Sequence, residues 1–122
     1  MMQAKSYKNL IVWQKSMQLV KEIYKLTDQM PHREVYGLAD QMRRAAISVP
    51  SNIAEGSQRA TRKDFSQFLR IARGSAAELE TQLLLTKDLY PKINLQTAHE
   101  LLDEIGRMLL ALSRKLISPS KN

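Results

Sequence analysis

Apolar residues recur at intervals of three and four along most of the chain, and no six-residue stretch alternates as a half-buried strand would. Four segments carry this helical period. The first, about Asn9 to Gln29, bears two stripes: Leu10, Trp13, Met17, Val20 and Tyr24, and beside them Val12, Ser16, Leu19, Ile23, Leu26 and Met30. Neighbours across the stripes, such as Leu19 and Val20, lie about 100° apart on a helix. The apolar face is therefore wider than one bundle neighbour covers. Met30 and Pro31 close the segment, because a residue before proline avoids the α region.

The second helix is predicted to open near Glu34. Its apolar set Met42, Ala46, Val49 and Ile53 steps by four, three and four straight across Pro50. Proline lacks an N–H and its ring crowds the carbonyl four residues back, so the pattern predicts a kink there and not a stop. A second stripe, Arg44, Ser48, Ser51 or Asn52, and Glu55, places both charge signs and small polar groups on one side. It fits a contact surface, and equally a solvated face in which a serine relieves the proline. The helix is expected to end around Gly56 or a turn later, where the glycine can take the left-handed cap position.

Thr61 and Asp64 form a T-x-x-D variant of the capping box and start a third helix. The free amides of that first turn suit a phosphate oxygen, unless Asp64 already satisfies them. Phe65, Phe68 or Leu69, Ala72, Ala76, Leu79, Leu83 and Thr86 form its core side. Gly74, costly by about 1 kcal/mol in mid-helix, implies a close backbone or a bend. Ser75, Glu78 and Gln82 flank the core, and a partly buried Glu78 would pair with Arg43 or Arg44. After Pro91, Asn94 caps a fourth helix running to about Ile117 with the seam Ala98, Leu102, Ile105, Leu109, Leu112 and Leu116. Short connections make successive helices antiparallel. The predicted fold is all-α: an up-down-up-down four-helix bundle kinked at Pro50, one domain over 1–122 with flexible ends at 1–8 and 118–122.

The chain has 122 residues, no cysteine and a formal net charge of +7. Residues 41–73 carry seven basic side chains, Arg43, Arg44, Arg59, Arg62, Lys63, Arg70 and Arg73, against Glu55 and Asp64. Residues 74–112 carry six acidic and three basic side chains, and the last ten residues add three cations. A field concentrated in this way attracts anions, nucleic acid first among them. No apolar run has the length of a signal peptide or of a membrane span, which predicts a cytoplasmic protein without a membrane partner.

Catalytic and metal chemistry find little support. The two histidines, His32 and His99, are not in Glu-x-x-His or H-E-x-x-H contexts. Neither a P-loop, a dinucleotide fingerprint nor a nucleophile elbow occurs. No enzyme activity, cofactor or metal is expected.

Several ordered motifs resemble those of the four-helix-bundle family encoded in intervening sequences of bacterial 23S ribosomal RNA genes. They are Val12-Trp13-Gln14-Lys15, Pro31 with Glu34-Val35-Tyr36-Gly37-Leu38, the run from Gln41 to Gly56, and Phe65-x-x-Phe68-Leu69-x-x-Ala72-x-Gly74-Ser75 followed by Glu78-Leu79. The accessory variability determinant of diversity-generating retroelements is among the family's relatives. This chain differs from it in an acidic third-to-fourth-helix region, and the intervening-sequence members are the closer match. The resemblance implies an antiparallel bundle assembled as a homopentamer, with no established enzyme activity.

The expected function is thus a non-catalytic homo-oligomer that binds structured RNA or other nucleic acid through Arg59, Arg62, Lys63, Arg70 and Arg73. The alternative is an oligomeric scaffold that recruits a protein partner. Arg43, Arg44, Ser48, Asn52, Glu55, Ser75 and Glu78 are expected to form a structural polar network, holding the second helix against the third or against the next subunit.

Overall fold

Four helices make up nearly all of the described part of the chain, residues 6–117 of a computed structural model: α1 (Ile11–Thr27), α2 (Leu38–Ser57), α3 (Arg62–Leu89) and α4 (Gln96–Ile117). No strand occurs among the described residues. Short 3-10 turns, Tyr7–Asn9 and His32–Glu34, precede α1 and α2. Of the ends expected to be flexible, 1–5 and 118–122 lie outside the described residues. Ser6 accepts the Lys8 amide at 3.1 Å and caps the first 3-10 turn.

The second helix begins at Leu38, one turn later than its periodicity suggested, for a local reason. Glu34 sits in a 3-10 turn, and its carboxylate accepts the Leu38 amide at 3.1 Å, supplying the cap that Gly37 has no side chain to provide. From there α2 passes through Pro50 unbroken, a path compatible with a bend at the missing hydrogen bond.

Paired residues give the order of packing. Met42 meets Thr86, Ser48 meets Ser75, and Gly56 meets Phe65 and Phe68, so the partner's number falls as α2 rises. This is the register of antiparallel neighbours. Ser66 with Ser113 and Arg62 with Leu116 place the start of α3 beside the end of α4. Lys15 and Glu104, 3.2 Å apart, bring α4 back to α1 and close the bundle.

Leu19, Ile23 and Leu26 from α1, Met42, Val49 and Ile53 from α2, Leu69, Leu79 and Leu83 from α3, and Ile105 and Leu109 from α4 are fully buried. Each is worth about 1.5–3 kcal/mol of apolar transfer. Of the two α1 stripes, the one from Val12 to Met30 is buried throughout. The other stays half-covered: Trp13, Met17 and Val20 are intermediate, and Tyr24 is 40% exposed. Buried hydroxyls are satisfied locally, Ser16 and Thr27 donating to carbonyls one turn back at 2.7 and 2.6 Å.

Gly56 acts differently from its predicted role, and one of the two roles predicted for Gly74 is excluded. Gly56 is no left-handed cap, since no described glycine has positive φ. It lies buried inside α2, where a β-carbon would stand 2.6 Å from Phe68 Cβ and 2.9 Å from Phe65 Cδ1. Its smallness lets α2 and α3 close upon each other. Gly74, by contrast, is exposed and a β-carbon there would meet nothing within 4 Å, so no close backbone explains it.

Candidate nucleic-acid interface

Thr61 has extended backbone angles and its Oγ1 accepts the Asp64 amide at 3.1 Å, which fixes the start of α3 and with it Arg62 and Lys63 on the first turn. Arg59 precedes this turn. It donates to Glu55 at 2.6 Å, and its guanidinium lies 4.6 Å from the centre of the Phe68 ring. Arg62 reaches across the bundle end: Nε donates to the Leu116 carbonyl at 3.1 Å and Nη2 to the Lys115 carbonyl at 2.7 Å. Lys63 and Arg70 are exposed and make no side-chain hydrogen bond or ion pair among the described residues.

Arg73 is set apart from these. It lines a groove of about 580 Å³ between α3 and α4, together with Glu80, His99, Glu100, Asp103 and Arg107. Anionic side chains in that groove compete with any phosphate for Arg73, so the five candidate residues do not share one environment. The fold adds two cations that the sequence reading left out, Arg114 and Lys115 in the last turn of α4. Their only linear signal was the basic end of the chain. Their nearness to Arg62 depends on how α3 and α4 are paired, which periodicity does not specify.

The residues expected to form one structural polar network do not join into one. Ser48, Asn52 and Ser75 form one cluster on the α2/α3 seam. The two serine hydroxyls are 2.7 Å apart, and Asn52 Nδ2 donates to Ser48 O and Oγ at 2.8 and 2.9 Å. Arg43 turns the other way, to Thr27 Oγ1 and Asp28 at 2.8 Å each and over the Tyr24 ring. Arg44 pairs with Asp40, and Glu55 with Arg59, both on the exposed surface of the helix. Glu78 is exposed and pairs with no arginine; Gln82 approaches it at 3.5 Å. With Glu78 hydrated there is no buried charge for Arg43 or Arg44 to neutralise.

At the opposite end of the bundle, Glu34 ties the two connections together. Besides the Leu38 amide it accepts the Tyr90 hydroxyl from the end of α3. The Tyr90 bond first, and the Leu38 bond second, hold the Glu34 carboxyl below the ordinary carboxylate range. The same carboxylate holds the Tyr90 phenol above its usual value. Two residues from this tie, Tyr36 is 93% exposed beside Val35 at 40%.

Among the described residues no three His, Cys, Asp or Glu side chains are grouped to hold a metal ion, and no helix is long and apolar enough to cross a membrane. A search of curated proteins finds no match to the chain. A family model does match, over residues 8–111, a span that takes in all of α1, α2 and α3 and most of α4. Four helices in a closed bundle, with the motif segments lying on α1, the α1–α2 connection, α2 and α3, accompany that match, and the chain belongs to the 23S rRNA-intervening sequence protein family.

Proposed function

We propose that this protein is a non-catalytic homo-oligomer that binds structured RNA or another nucleic acid by phosphate contacts at the basic end of its bundle. The observation that carries this reading is the bond from Arg62 to the end of α4, which gathers Arg59, Arg62, Lys63, Arg114 and Lys115 around one end with only Glu55 and Asp64 as nearby acids in those segments. Clustered cations release condensed counterions from a duplex and bind it with little regard to sequence. Self-association is supported by the half-covered α1 stripe, with Ile11 at 53% and Ile47 at 41% exposure as further uncovered apolar surface. Repetition of the basic end in a ring, five-fold by the family resemblance, would make weak contacts multivalent.

Binding of an RNA duplex of about 20 base pairs at stepped salt tests the reading, with light scattering on the same samples. Affinity is expected to fall steeply as salt rises, and Lys63→Glu and Lys115→Glu are each expected to weaken binding and flatten the salt slope by about 1. Absence of binding at low salt, or indifference to both reversals, removes the proposal. An oligomer that binds no duplex would favour the second reading, a scaffold for a protein partner. That reading draws on Tyr36, an exposed aromatic on a connection stiffened by Glu34, of the kind that anchors protein interfaces.

A further inference from the structure

Two of the five N–H donors of Arg62 are already committed to carbonyl oxygens 53 and 54 residues away in sequence. The carbonyls of a helix's last turn have no partner within the helix, and they carry the negative end of its dipole. A guanidinium bonded through two nitrogens to two successive carbonyls is fixed in direction as well as in distance, which a single ammonium is not. Nearby, the Ser66 and Ser113 hydroxyls are 3.5 Å apart, at the long limit of a hydrogen bond, and add little to the hold.

We infer that Arg62 is a positioning residue and not a phosphate ligand: it caps the end of α4 from the first turn of α3, and thereby makes one cationic face from Lys63 and Arg59 on one side and Arg114 and Lys115 on the other. The inference deepens the nucleic-acid reading and rests on it for its functional half. It assigns different work to neighbouring cations of equal charge. Lys63 is exposed and free to meet a phosphate, while Arg62 sets where the α4 cations stand.

Arg62→Lys in the full-length protein keeps the charge and removes the fork. Arg62 is exposed, so the core is untouched by the change. Two measurements are made on it: amide hydrogen exchange in the last turn of α4, and affinity for the same RNA duplex at low salt. Exchange there is expected to rise on the order of tenfold, with affinity falling severalfold at constant net charge. Lys63→Gln serves as the contrast, lowering affinity and leaving that exchange unchanged. Wild-type exchange in Arg62→Lys overturns the inference, and so does faster exchange with undiminished affinity. If the wild-type protein binds no duplex, the nucleic-acid reading falls, and the exchange result alone decides for or against the tie between α3 and α4.

Discussion

A β-carbon at Gly56 would press into Phe68 Cβ, an atom next to the backbone that no rotamer change can move, whereas one at Gly74 would enter open space. Both glycines are helical and neither has positive φ, so their alanine variants differ only in what the methyl meets. Gly74→Ala is expected to stabilise the protein by about 0.5–1 kcal/mol through helix propensity. Gly56→Ala is expected to destabilise it by about 1–2 kcal/mol, because overpacking between α2 and α3 outweighs the same propensity gain. Urea midpoints of the two variants check the opposite signs. The Glu34–Tyr90 tie gives a pH dependence at the same scale. Glu34 is held below its ordinary value in the fold, so its contribution is present above that value and is lost as pH falls through the folded one. Tyr90 is held above its usual value of 10.0, so its contribution is present below that and is lost as pH rises through the folded one. Tyr90→Phe should flatten both limbs of a midpoint-against-pH curve; a curve parallel to the wild type's would contradict the assignment.

Helix pairs are held by unequal polar contacts, and burial decides which of them matter. The link from α2 to α1 runs through Arg43, whose contact with buried Thr27 is shielded from water while its partner Asp28 has 74% of its side chain exposed. Arg43→Ala is therefore expected to destabilise by about 1–2 kcal/mol, through the Thr27 bond and the Tyr24 ring contact together. Asp28→Ala should change stability by no more than about 0.5 kcal/mol, since water replaces the lost carboxylate. Equal effects of the two changes in chemical denaturation would show that the ion pair, and not the buried bond, is the link. On the other side of α2, Ser48 and Ser75 let the helices meet through small groups that satisfy each other. Ser48, two residues before Pro50, turns its hydroxyl to α3.

For the whole molecule, basic segments that are far apart in the sequence come together at one end of the bundle. The cations of the α2–α3 connection and of the α4 terminus meet at one end, while the groove between α3 and α4 mixes both signs. The half-covered stripe of α1, Leu10 to Tyr24, is the surface that the proposed self-association would use. Met17→Glu puts a charge in the middle of that stripe, and is expected to shift the protein toward monomer in size-exclusion light scattering while its helical circular dichroism is retained. An unchanged mass would mean that the stripe is not the contact between copies.

Periodicity by itself determined that four helices form, the apolar side of each, and that α2 continues through Pro50, but not which of the two α1 stripes the bundle covers. These follow from the repeat of 3.6 residues and the aversion of apolar side chains to water, which act within a segment. The Thr61 cap was legible for the same reason: its donor and acceptor are three residues apart. Asn94 likewise accepts the Gln96 amide at 3.0 Å. The start of α2 was misplaced because Glu34 lies in a 3-10 turn and caps Leu38 from outside the helix; its second bond, from Tyr90 56 residues away, has no local pattern at all. The candidate interface was partly legible, in the basic run from Arg59 to Arg73, but its division was not. Which cations are spent on carbonyls, which face carboxylates and which stay free is set by the register between helices. That register is decided by side chains meeting across the bundle, such as Gly56 beneath Phe68 and Arg62 on the end of α4, and only the tertiary structure brings them within reach.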